Sequence, residues 1–102
     1  MAQNKSDRQY FDPLVEEDYW RANYANTTYV VVGENYADYE PAYRYGWEAT
    51  NRYGELNWDE IEEDMERHWE QNRGSSRLPW ERAKHAVRDA WERIKQTFQR
   101  DR

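Results

Sequence analysis

Two histidines each stand four residues from a carboxylate: Asp64 with His68, and Glu81 with His85. On a helix, residues four apart share a face, so each pair could present an imidazole nitrogen beside a carboxylate oxygen. Two such helices facing each other could close a two-histidine, two-carboxylate metal site. The Glu-x-x-His spacing of di-iron bundles is absent, since residue 65 is Met and residue 82 is Arg. His85 also falls off the apolar stripe of its own segment, so solvent-facing histidines are the plainer reading, and no cofactor is expected. The acids Glu60, Glu62, Glu63, Asp64 and Glu66 could be read as paired catalytic carboxylates. A solvated helix face explains them better, because no bulky apolar neighbours there would raise a pKa for acid catalysis. The chain has no cysteine, which excludes thiol catalysis, zinc-thiolate sites and disulfides together. Serine-nucleophile motifs, phosphate-binding glycine loops and dinucleotide fingerprints are missing as well. The expectation is a protein that is not an enzyme.

The elements that would position any site must come from an unusual apolar inventory. Over 102 residues there are ten Leu, Ile and Val against seventeen Trp, Tyr and Phe. Aromatics must therefore supply most of one core, with hydrogen-bond partners for their OH and NH groups. Rings left over at the surface would form a self-association or partner patch. The net charge of −6 divides as −4 over residues 1–54, −7 over 55–72 and +5 over 73–102. Overall acidity argues against nucleic-acid binding, which needs a positive face. The polar start MAQNKSDRQY has no apolar leader core, and no run of about 18 apolar residues occurs, so a cytoplasmic protein without a membrane span is expected.

Residues 1–10 read as a flexible polar arm and 11–102 as a single helical domain. Asp12-Pro13 starts a helix over about 13–25, with Phe11, Leu14, Val15, Tyr19 and Ala22 as its candidate buried stripe. Tyr29 to Gly33 reads as an extended connector. Tyr36, Tyr39, Tyr43, Trp47 and Thr50 recur at helical period, with a kink or a later helix start at Pro41. Gly54 and Asn57 then serve as caps before a third helix whose core face is Trp58, Ile61, Met65 and Trp69. The breaker-rich 72–79 stretch ends it. A last helix follows with Trp80, Ala83, Val87, Trp91, Ile94 and Phe98 on one face. The fold expected is an all-α bundle of three to four helices ending in an antiparallel hairpin.

Trp47, Trp58, Trp69, Trp80 and Trp91 are spaced by eleven residues, each followed by an acid. Eleven residues make about three helical turns, so two such Trp in one helix share a face. WDEIEEDMERHWE and WERAKHAVRDAWE align modestly, with Ile61 against Ala83 and Met65 against Val87, as two copies of one helical unit would. Trp clamping two helices together is the structural account; a stacking surface for a planar ligand or sugar is the functional one. Opposite charge on the last two helices predicts ion pairs between the acids of 59–70 and Arg82, Lys84, Arg88, Arg93 and Lys95.

At YADYEPAYRYGWEA (36–49), NWDEIEEDMERHWE and LPWERAKHAVRDAWERI, the chain resembles a family of small, functionally uncharacterised bacterial proteins, some found alongside stress-associated segments. PAYRYG (41–46) is the most specific part. The resemblance implies bacterial origin and a stress context, and transfers no catalytic residue. Tyr36, Tyr39, Tyr43, Arg44, Tyr45 and Trp47 are the candidate interaction residues, able to combine stacking, cation-π contact and hydrogen bonding. The leading expectation is an interaction or assembly module whose partner is itself or another protein. The alternatives are an aromatic-cage binder of a planar or sugar ligand and, more remotely, a metal-binding protein using His68 and His85.

Overall fold

The structure, a computed structural model, describes residues 11–100, with side chains described over 11–97. The polar arm of 1–10 and the Phe98 side chain lie outside the described residues. The chain is all-α: α1 (Pro13–Asn23), a single 3-10 turn (Tyr24–Asn26), α2 (Tyr36–Tyr53), α3 (Trp58–Asn72) and α4 (Trp80–Arg100). No strand occurs among the described residues.

Each helix starts where its capping chemistry permits. Asp12 accepts from the Leu14 N–H at 3.0 Å and Pro13 opens α1. α2 begins at Tyr36 and runs on through Pro41. The reciprocal Asn35 and Asp38 capping box, with both bonds at 3.2 Å, settles the start ahead of the proline. Glu60 reaches back to the Asn57 N–H at 2.7 Å to open α3. The Pro79 carbonyl takes the first bonds of α4, from the Arg82 and Ala83 N–H groups.

The helices alternate in direction. Trp20 and Tyr24 on α1 and the turn after it meet Tyr43 and Tyr36 on α2 in reverse order, so α1 and α2 are antiparallel. Tyr45 of α2 donates to the Met65 carbonyl of α3 at 2.8 Å. Trp58, at the start of α3, contacts Trp91 in mid-α4, and Trp69, at its end, contacts Trp80 at the start of α4. These two run as an antiparallel hairpin. α2 and α4 are parallel, since Gly46 meets Val87 and Gly54 meets Lys95, and theirs is the most extensive contact among the described residues.

That central seam is built from small residues. Ala42, Gly46 and Ala49 on α2 face Ala83, Ala86 and Ala90 on α4, all buried. A Cβ added to Gly46 would meet the Val87 backbone, so the two helices approach as closely as backbone allows. Aromatics fill the flanks. On one side Trp58, Trp69, Trp80 and Trp91 form a contiguous cluster with ring centroids 6.3–6.4 Å apart, joined by Ile61, Met65, Val87 and Ile94. On the other, Trp20 stacks on Tyr43 at 4.2 Å with planes 9° apart. The rings supply most of the core volume, as expected from composition, and they pack around a seam of alanine and glycine.

Three further expectations change. The stripe Leu14, Val15, Tyr19 and Ala22 faces outward, because α1 is held by Glu16 and Trp20 on its opposite side. Residues 29–33 do not run straight: the Glu34 N–H bonds the Val31 carbonyl, closing a turn in which Gly33 takes φ 96°. No ion pair joins α3 to α4 among the described residues. Arg82 pairs with Glu34, Arg93 with Glu16, Lys84 with Glu81 and Arg88 with Glu92. Trp58, Trp69, Trp80 and Trp91 pack between the two helices, and the basic residues of α4 find their partners elsewhere. Glu62 and Glu66 still help to raise the Lys84 pKa, after the larger effect of Glu81.

Candidate functional site

The densest polar chemistry lies where the connector 27–35 crosses α2 and α4. Tyr29 donates to Asp89 Oδ2 at 2.8 Å, which leaves the Tyr43 hydroxyl to donate to Tyr29 Oη, also at 2.8 Å. Tyr39 donates to Glu34 Oε1. Arg82 binds both Glu34 oxygens, at 2.8 and 3.1 Å, and the Tyr29 carbonyl at 2.6 Å. The Arg82 guanidinium, helped by Tyr39 and the Val31 N–H, lowers the Glu34 carboxyl to about 2 against the cost of burial. Burial first, then hydrogen bonding, pushes the Tyr29 and Tyr39 phenols up; for Tyr43 burial dominates too. Phenols held protonated this firmly neither give nor take a proton near neutral pH. The arrangement is a clasp that fastens the connector to the bundle.

A second clasp holds the link between α3 and α4. Arg77 donates to both Asp38 oxygens, at 2.8 and 2.6 Å, and to the Gly33 carbonyl at 2.9 Å, while Ser76 donates to the Asp38 carbonyl at 2.6 Å. Arg77 lowers the Asp38 carboxyl to about 2. Trp69 Nε1 donates to the buried Leu78 carbonyl at 2.9 Å.

The candidate interaction residues of 36–47 do not share a surface. Tyr39, Tyr43 and Trp47 are core residues, and the Trp47 indole N–H is buried without a partner among the described residues. Arg44 is exposed and paired with Glu40. Tyr36 is half-buried against Tyr24, with Arg21 over its ring at 5.4 Å. Tyr45 is half-buried on the other side of α2, against Trp69 at 5.5 Å. A helix of this period puts residues 36, 39, 43 and 47 on one face, and that face is the buried one. Trp58, Ile61, Met65, Trp69, Trp80, Ala83, Val87, Trp91 and Ile94 are all buried.

The four weak metal candidates do not converge. His68 bonds the Asp64 carbonyl through Nδ1 at 2.9 Å, and the Asp64 carboxylate pairs with Arg67. His85 stacks on Tyr29 at 5.7 Å, and Glu81 pairs with Lys84. Among the described residues no three His, Asp or Glu side chains come together as metal ligands would.

Two surface features remain. A groove of about 400 Å³ lies between α2 and α3, with Tyr45, Ala49, Tyr53, Met65 and His68 among its walls. The outward face of α1 exposes Leu14, Val15 and Tyr19 at 72%, 52% and 37%. The roles of Glu34, Asp38, Arg77, Arg82 and Asp89 were not readable in advance. Their partners lie up to 60 residues away, and no local spacing signals such a pairing. No helix among the described residues is long and apolar enough to cross a membrane. The chain matches no protein-family model, and no match to it was found among curated proteins or solved structures.

Proposed function

We propose that this chain is a non-enzymatic interaction module that associates with a second copy of itself through the outward face of α1. The observation that carries this reading is the inversion of that helix: it buries Glu16 and exposes Leu14 and Val15. Exposed single apolar residues are ordinary, but a buried acid opposite an exposed apolar stripe is not. Glu16 is compensated by Arg93 at 2.9 Å, so the helix is fixed in this orientation by a specific pair and does not merely rest there. Val31 and Val32, the latter fully exposed at the connector turn, add a second apolar point.

The rings of the tyrosine clasp support assembly over an aromatic cage, since they lie against one another: Trp20 on Tyr43, Tyr29 between Tyr39 and His85, Tyr19 under Arg93 at 3.7 Å. Their faces are already occupied. An 11-residue helix is about 16 Å long, so the contact is small, and association belongs to the weak, concentration-dependent class. Sedimentation velocity across a wide concentration range tests it. The unaltered chain should gain mass with concentration, and the Leu14→Glu, Val15→Glu double variant should stay monomeric with an unchanged melting temperature. A chain that remains monomeric throughout, or a double variant that associates equally well, would remove the reading.

A further inference from the structure

We infer that the groove between α2 and α3 binds a small, flat, uncharged heteroaromatic molecule with an amide-like edge, of the nucleobase or nucleoside class. This site lies on different helix faces from the α1 surface and does not depend on it. At about 400 Å³ the groove falls within the range that holds small ligands. Its apolar walls include the half-buried rings of Tyr45 and Tyr53 together with Ala49 and Met65, and Arg52 lies over the Tyr53 ring at 5.9 Å. Tyr45 is rigidly placed, with its hydroxyl on the Met65 carbonyl at 2.8 Å and Trp69 packed against its ring at 5.5 Å.

The polar rim carries paired donors and acceptors. A carbonyl can only accept, so the bond from His68 Nδ1 to the Asp64 carbonyl puts a proton on Nδ1 and leaves Nε2 outside that bond. Asn72 spends its amide nitrogen on the His68 carbonyl at 2.9 Å, which leaves Oδ1 to accept. The carboxamides of Asn51 and Gln71 on the same walls offer both a donor and an acceptor, as the edge of a nucleobase does. Glu48 and Arg52 oppose each other in charge, so the lining is neutral. Beyond the rim, α3 belongs to the segment of charge −7, which repels phosphate. Aromatic walls, amide-like rim groups and an acidic surround together favour an uncharged base over a nucleotide and over a sugar.

The test is a titration of the ¹⁵N-labelled full chain with adenosine, uridine, adenosine monophosphate and glucose, followed by two-dimensional amide spectra. Saturable shifts with a nucleoside are expected at Tyr45, Ala49, His68 and Asn72, with the monophosphate and glucose binding more weakly. Gln71→Ala and Asn72→Ala, both at exposed positions, should each weaken nucleoside binding by about tenfold, the effect of one lost hydrogen bond. Circular dichroism of the two variants establishes that they are folded. The inference is overturned if neither nucleoside gives saturable shifts, if the shifts map elsewhere, if the monophosphate or glucose binds as well as the nucleoside, or if both variants bind unchanged.

Discussion

Gly46 of α2 and Val87 of α4 meet backbone to backbone: a Cβ on Gly46 would lie 2.1 Å from the Val87 carbonyl oxygen and 3.0 Å from the Ala90 Cβ. Neither neighbour is a flexible side chain, so an added methyl group is relieved only by parting the two helices along their seam. Gly46→Ala should therefore destabilise the fold by about 3 kcal/mol or more, although alanine is the better helix former. Urea unfolding followed by tryptophan fluorescence measures this, and a midpoint at or above that of the parent chain would refute the close approach.

Acid should loosen both clasps. Glu34 and Asp38 fall from ordinary values of 4.5 and 3.8 to about 2 in the folded chain. A lowered folded pKa contributes stability that is complete above the unfolded value and is lost as pH falls towards the folded one. The melting temperature should accordingly decline as pH drops from about 5 to about 2, and the Glu34→Gln, Asp38→Asn double variant should flatten that decline.

Alkali should act in the opposite sense on the tyrosines. Burial raises the Tyr45 phenol to about 12, and Tyr29, Tyr39 and Tyr43 rise further. A raised folded pKa contributes stability that is present below the ordinary value of 10 and lost as pH climbs through the folded value. Ultraviolet titration of phenolate should show these tyrosines ionising together with loss of structure.

Arg93 is the counter-charge that lets Glu16 stay buried. Arg93→Ala should cost about 1 to 3 kcal/mol, because it leaves a carboxylate at a largely buried position without its partner. Replacing both residues by Met should recover most of that loss. Chemical unfolding of the three chains is the check, and a double variant no better than the single one would count against the pairing.

Lys95 closes the C-terminal end of α2 from another helix. Its Nζ donates to the Gly54 carbonyl at 2.6 Å and to the Leu56 carbonyl at 2.8 Å, where unpaired carbonyls and the negative end of the helix dipole gather. Lys95→Met removes both bonds and the ammonium over the Trp91 ring, and should lower stability by about 1 kcal/mol, as thermal unfolding would register.

The helices were legible because their signals are local. Asp12-Pro13, Asn57 with Glu60, and the breakers of 72–79 mark boundaries that caps and turns then realise, and the stripe from Trp58 to Trp69 carries the buried side chains of α3. The orientation of α1 was not legible. Its apolar period marks Leu14, Val15, Tyr19 and Ala22 as the buried face, but the bundle takes the face of Glu16 and Trp20, whose partners Arg93 and Tyr43 lie far along the chain. The seam is weakly marked in the sequence, because Ala42, Gly46 and Ala49, like Ala83, Ala86 and Ala90, recur at helical spacing but carry little apolar surface. Among the candidate site residues of 36–47, helical period grouped Tyr39, Tyr43 and Trp47 on one face but could not say that the face lies inside.

The parallel course of α2 and α4 has a consequence for how the polypeptide matures. Partners along the seam, such as Asp38 with Arg77 and Gly54 with Lys95, are about forty residues apart, with all of α3 intervening. A nascent chain that has emerged only as far as Asn72 has the contacts of α1 and α3 with α2 but lacks the α4 half of the seam. The α2–α4 seam, the most extensive packing described, can form only once α4 is available, and forming it closes a loop of about forty residues.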